Sequence, residues 1–118
     1  MQLETKTYGD TLIVTATMPR IDAAIAIEFK DNMRTACMDG PARVVLDLSS
    51  VSFLDSSGLG AVVAAMKLLA PDQKLELAGL TTNVDKVFRL TRMDRVFTIH
   101  PDTDTALNDT ETDIENAS

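Results

Sequence analysis

This chain of 118 residues is poor in the side chains that build redox, metal and nucleophile chemistry. It has one cysteine, Cys37, which excludes an intrachain disulfide and a cysteine-held metal cluster. Cys37 reads as a small buried hydrophobe. It has one histidine, His100, so a multi-histidine metal site is excluded. Standing before Pro101, His100 reads as a solvated loop residue. No apolar run approaches the ~18 residues needed to span a bilayer. The start, Met1-Gln2-Leu3-Glu4-Thr5-Lys6, lacks the basic and apolar regions of a signal peptide, so a cytoplasmic location is the expectation and no membrane partner is expected. No Gly-x-x-x-x-Gly-Lys pattern occurs, and no cofactor is expected.

A basic excess is missing too. The formal net charge is −7. Residues 101–118 hold Asp102, Asp104, Asp109, Glu111, Asp113 and Glu115 and no lysine or arginine. The rest of the chain has 12 acids against 11 bases and is nearly neutral. Neither part carries the positive field that nucleic-acid binding needs, so no nucleic-acid partner is expected. The length suits one domain. Residues 1–110 are expected to form it. Residues 111–118 lack apolar periodicity and are expected to be an acidic, flexible tail.

What is present alternates between strand and helix patterns. Residues 3–8 and 11–17 read as a hairpin around Gly9-Asp10, and Pro19 ends it. Asp22 is a plausible N-cap for a helix reaching about Met38, with Ala26, Phe29, Met33 and Cys37 facing inward. Asp39-Gly40-Pro41 stops it. Residues 43–48 form a short apolar run of the kind that sits centrally in a parallel sheet. Helices are expected over 56–70 and 83–91, the latter with Val84, Val87, Phe88 and Thr91 on one face. Strands are expected over 74–78 and 96–99. A final short helix begins near Asp102 and includes Ala106 and Leu107. The order β-β-α-β-α-β-α-β-α predicts an α/β fold: a mixed, mostly parallel sheet of about five strands, an N-terminal antiparallel hairpin and about four helices.

The corner Phe53-Leu54-Asp55-Ser56-Ser57-Gly58-Leu59-Gly60 carries the chemistry. An apolar strand enters it and an apolar helix leaves it. A helix start leaves backbone N–H groups without acceptors, and these tolerate an anion. A serine there can cap the helix, and once phosphorylated its phosphate can take the same donors. Asp55 can cap the helix, orient a serine or repel a new phosphate. Gly58 and Gly60 leave the backbone uncovered for a close approach. From Leu59 to Ala70 the only charge is Lys67, so apolar residues such as Val62 go all round the cylinder. A surface helix normally shows a polar face, which makes one side of this helix a candidate docking surface. Lys86, Arg89, Arg92 and Arg95 recur every three residues and read as a solvated face, partly offset by Asp85 and Asp94. A hydrolase built on Ser56 or Ser57 would need His100 as base, from a different strand, and the Gly-x-Ser-x-Gly elbow is absent.

The strand Val44–Leu48, this corner and its helix resemble a bacterial anti-sigma factor antagonist, a single STAS domain. The likeness runs over roughly residues 3–110. The resemblance implies a binding protein rather than an enzyme. It implies that the unmodified chain binds an anti-sigma factor that is also a GHKL-type serine kinase, which frees a sigma factor. Phosphorylation by that kinase then ends the binding, and a PP2C-type phosphatase restores it. Carried over by position, the acceptor is Ser56. Asp22 and Asp55 match the acids around it, and Ser57 and Gly58 match the helix start that touches the partner. Leu59 and Val62 extend that contact along the helix. The resemblance also implies a monomer when free. The same fold serves partner switches with targets other than sigma factors, and docking subunits of transport complexes. One departure stands out: Pro19-Arg20 occupies positions where many members have glycine and an acid, which implies a stiffer, less acidic loop beside the acceptor.

Overall fold

In the computed structural model, residues 3–108 are described. The domain boundary at 110 and the acidic tail expected over 111–118 lie outside them. The hairpin forms as the pattern predicts: β1 (Leu3–Tyr8) runs antiparallel to β2 (Thr11–Ala16). The short strand β3 (Arg20–Ile21) and helix α1 (Ala26–Cys37) follow. Next come β4 (Arg43–Asp47), β5 (Phe53–Leu54) and α2 (Ser56–Leu68). The described chain finishes with β6 (Lys74–Ala78), α3 (Thr82–Leu90), a 3-10 turn (Met93–Arg95), β7 (Ile99–His100) and a helix α4 over 103–108.

The main sheet has the order β1-β2-β4-β6-β7, parallel everywhere except at the hairpin. The apolar run 43–48 therefore supplies the central strand, as expected. Val44 and Leu46 join one core, while Val45 faces the other side with Ile13, Ala78 and Ala106. The first core is the larger. Phe29, Met33 and Cys37 of α1 meet Val62 and Ala65 of α2 and Phe88 of α3 there. Burying each such large apolar side chain stabilises by about 1.5–3 kcal/mol. Phe88 and Phe97 add an edge-to-face contact, with centroids 5.9 Å apart. Cys37 is buried as expected, and burial pushes its thiol up to about 11. Among the described residues no helix is long and apolar enough to cross a membrane.

Several expectations need correction. α1 starts at Ala26, not directly after Asp22, and no side chain caps it. Asp22 instead closes a preceding turn, its Oδ1 accepting from the Ala24 N–H at 3.1 Å. Asp39, rather than Gly40, takes the left-handed conformation after α1, at φ 58°. The two-residue strands β3 and β5 pair in parallel as a separate small sheet. They are too short for any periodicity to reveal. Thr91 does not face the core: it is exposed, and its hydroxyl donates to the Val87 carbonyl at 2.7 Å. The strand expected over 96–99 is instead Ile99–His100, shifted toward the C-terminus and shorter, because residues 93–95 turn.

His100 is the largest correction. It is buried, not solvated. Its Nε2 lies 2.6 Å from Oε1 of Glu76, which is also buried. Arg43 donates to the same carboxylate from Nε at 2.8 Å and from Nη2 at 2.7 Å. With the carboxylate accepting, the His100 ring donates from Nε2. Burial alone would raise the Glu76 carboxyl, but the bonds from Arg43 and His100 outweigh it and hold it below its ordinary range. Sheet register puts all three on the face opposite α1, α2 and α3.

Candidate functional site

The site is a corner where two backbones are locked together. β5 is held against the chain before it: Ser52 and Phe53 donate their N–H groups to the Pro19 carbonyl at 2.9 and 3.3 Å. The Asp55 N–H donates to the Ile21 carbonyl at 3.4 Å. Thr81 donates its hydroxyl to the Val51 carbonyl at 2.7 Å and ties α3 to the same loop. The peptide after Ile21 thus lies directly on the first turn of α2. Gly58 is the residue that permits it, because a Cβ there would fall 2.0 Å from the Ile21 carbonyl oxygen. Only glycine fits under that oxygen.

Asp55 caps α2. Its backbone is extended and its Oδ1 accepts from the Gly58 N–H at 2.8 Å. This bond is the N-cap to N3 arrangement that stabilises a helix by about 1 kcal/mol. Neither serine is the cap. Ser56 and Ser57 occupy the first two helical positions, and both are exposed. No first-turn acid is present in the helix itself. No intrahelical carbonyl can reach the N–H groups of Ser56 and Ser57, so the helix terminus is electropositive beside two hydroxyls in water.

The two acids singled out in the sequence are brought to this corner by different routes. Asp55 is adjacent to Ser56 along the chain. Asp22 follows Ile21, whose carbonyl rests on α2, and Arg20 pairs with Phe53 in the β3–β5 register. Arg20 reaches Asp22 Oδ2 through Nε at 3.4 Å, and its guanidinium lies 4.2 Å from the Phe53 ring centre.

The contact residues sort differently. Ser57 is exposed and Leu59 half-buried. Gly58 is sealed beneath Ile21, and Val62 is fully buried in the core. These two shape α2 from within and offer no side chain to a partner. The apolar all-round character of α2 thus divides: Ala61, Val62 and Ala65 pack inside, and Gly60 and Ala64 line a shallow groove of about 180 Å³ between α1 and α2. Ala26, Ile27 and Lys30 form its other wall, and Ser57 stands at its edge. Ile27 is 71% exposed and was not identified from the sequence. The signal was available, since Ile27 falls off the Ala26-Phe29-Met33-Cys37 stripe. Gly60 meets no atom that a Cβ would touch, so the backbone is open there as expected.

His100 cannot serve Ser56 or Ser57 as a base. It sits on the opposite sheet face with its Nε2 engaged by Glu76. The basic series along α3 and the 3-10 turn after it stays at the surface: Lys86, Arg92 and Arg95 are exposed, and Arg89 pairs with Asp85 at 2.8 Å and Asp94 at 3.8 Å. Asp85 holds the Arg89 guanidinium above its ordinary range.

Comparison with known proteins places this geometry. Residues 2–106 match the family model described as the STAS domain. An anti-sigma-B factor antagonist of Listeria monocytogenes is 32% identical over 80 residues, covering 67% of this chain and 70% of the relative. The crystal structure of an anti-sigma factor antagonist from Mycobacterium paratuberculosis superposes with a TM-score of 0.80 over 90% of both chains, at 24% identity. A sulfate transporter family protein from Wolinella succinogenes shares the fold as well, with a TM-score of 0.74 over 90% of this chain and 88% of that one, at 15% identity.

Proposed function

The chain belongs to the STAS domain family, and from that premise we propose that it is a partner-switching anti-sigma factor antagonist controlled at Ser56. The unmodified chain binds an anti-sigma factor that is also a GHKL-type serine kinase, and so releases a sigma factor. The kinase transfers the γ-phosphoryl group of ATP to Ser56 Oγ, leaving ADP, and the hydroxyl proton passes to a base of the kinase. A PP2C-type phosphatase hydrolyses the phosphoserine and resets the switch. The free chain acts as a monomer in the cytoplasm. Residues 1–110 are the working domain in this reading.

The observation that carries the proposal is the position of Ser56. It is exposed, fixed at the first position of α2 directly after the Asp55 cap. Ser57, in the next turn position, borders the groove between α1 and α2. Phosphorylation brings about −1.5 to −2 charges. Asp55 and Asp22 already stand at this corner, so a docked partner surface meets a concentrated negative field. The contact surface is Ser57, Leu59, Gly60 and the exposed Ile27, with Gly58 and Val62 beneath it. A static docking subunit of a transport complex would use the same fold, but it has no need of an exposed hydroxyl held on a rigid helix start.

The test is incubation of the chain with its cognate kinase and ATP, followed by peptide mass spectrometry. One phosphate on Ser56 is expected, and none in Ser56→Ala, which should still bind the kinase. Modification elsewhere, or none, removes the proposal.

A further inference from the structure

Arg20 is a cation built into the β3–β5 side of this corner, and it is held loosely. Its partner in the β3–β5 register is Phe53, three residues before Ser56. The guanidinium rests on that ring at 4.2 Å, a cation–π contact that keeps the group near the surface of β5. Its bond to Asp22 is a single Nε contact at 3.4 Å, with the Arg20 side chain 58% exposed. An exposed pair of this kind contributes roughly 0–1 kcal/mol. Four of the five guanidinium N–H groups remain for another acceptor. The neighbouring carbonyl, that of Ile21, accepts from the Asp55 N–H and covers Gly58. Arg20 is thus anchored one residue from the backbone that touches the first turn of α2.

We infer that Arg20 is the phosphate-receiving residue of the switch: once Ser56 is phosphorylated, the guanidinium leaves Asp22 and takes the phosphate. This rests on the reading of Ser56 as the acceptor. A phosphate dianion offers three strong acceptor oxygens in the fork geometry that arginine matches, and such bonds are shorter and stronger than a lone contact at 3.4 Å. The exchange has a second effect. Asp22 loses its counter-ion, so modification changes the corner at two places: a phosphate at Ser56 and an uncovered carboxylate at Asp22. The surface seen by a partner then differs more than one added group implies.

The test uses the full chain with phosphoserine incorporated at position 56 during translation, which needs no kinase. A 31P NMR titration reads the second ionisation of the phosphoserine. In the native sequence it is expected roughly half a unit lower than in Arg20→Gln, because the nearby cation favours the dianion. Arg20→Lys should retain part of that shift. Identical titrations in the native chain and Arg20→Gln overturn the inference. Amide spectra of unmodified Arg20→Gln, with changes confined to β3, β5 and the start of α2, confirm that the fold is intact. A kinase that leaves Ser56 unmodified removes the functional proposal and with it the role of Arg20 in a switch, whereas a titration that depends on Arg20 still establishes the contact between its guanidinium and a phosphate at position 56.

Discussion

Two of the arginine–carboxylate clusters among the described residues are built in opposite ways. At the α2 corner, Arg20 meets Asp22 through one atom at 3.4 Å, with side chains 58% and 25% exposed. On the far face of the sheet, Arg43 grips Glu76 through two bonds at 2.8 and 2.7 Å, and His100 adds a third at 2.6 Å. The far cluster is nearly dry, with side-chain exposures of 16% for Arg43 and 8% for Glu76. A buried pair keeps its place because either partner alone would be an uncompensated charge. An exposed single contact exchanges readily with water or a new anion. The first cluster therefore suits a place where charge changes, and the second a place where it must not. What is rigid at the corner is the backbone, through Gly58, Ile21 and the Asp55 cap. What is loose there is the charge.

The sharpest way to break this contrast is to remove one partner on each side. Glu76→Ala removes the buried carboxylate that Arg43 and His100 share and should cost about 3–5 kcal/mol in urea unfolding. Second in size is the corner backbone. Gly58→Ala puts a methyl against the Ile21 carbonyl, and overpacking of this kind should cost about 1–3 kcal/mol. The separation of β3 from α2 would show as amide shifts at Ile21 and Asp55. A smaller effect follows from pH. Glu76 ionises below its ordinary value of 4.5 in the folded chain, so it contributes stability above that value. That contribution is lost as pH falls through the lower folded value. Glu76→Gln should flatten the stability curve below about pH 4.5, and an unchanged acid limb would mean that the buried cluster does not set it. Smallest of all, Arg20→Gln should shift stability by less than about 1 kcal/mol. A loss as large as that of Glu76→Ala would erase the distinction between the clusters.

The alternation of strands and helices was legible because each main element is long enough to show a period. Val44, Val45 and Leu46 identified the central strand, and Phe29, Met33 and Cys37 the inner face of α1. The corner itself was legible as a residue run, but its wiring was not. Asp55 and the serines are all good cap residues, and only the backbone geometry shows that Asp55 holds the cap while Ser56 and Ser57 stay free in water. β3 and β5 have two residues each, below the reach of any pattern, yet they place Arg20 and Asp22. His100 looked solvated because its partner Glu76 lies 24 positions away in sequence, and Arg43, which shares that carboxylate, lies 57 away. Sheet register brings them together, and no local spacing signals that. The burial of Val62 had the same origin. A helix apolar all round does not say which side faces in until its neighbours are known.

The most direct experiment on the switch is calorimetric. It compares the affinity of the cognate serine kinase for the unmodified chain and for the chain carrying phosphoserine at position 56. Phosphorylation should weaken binding at least tenfold, about 1.4 kcal/mol or more. Equal affinities would show that the charge at Ser56 does not control the partner.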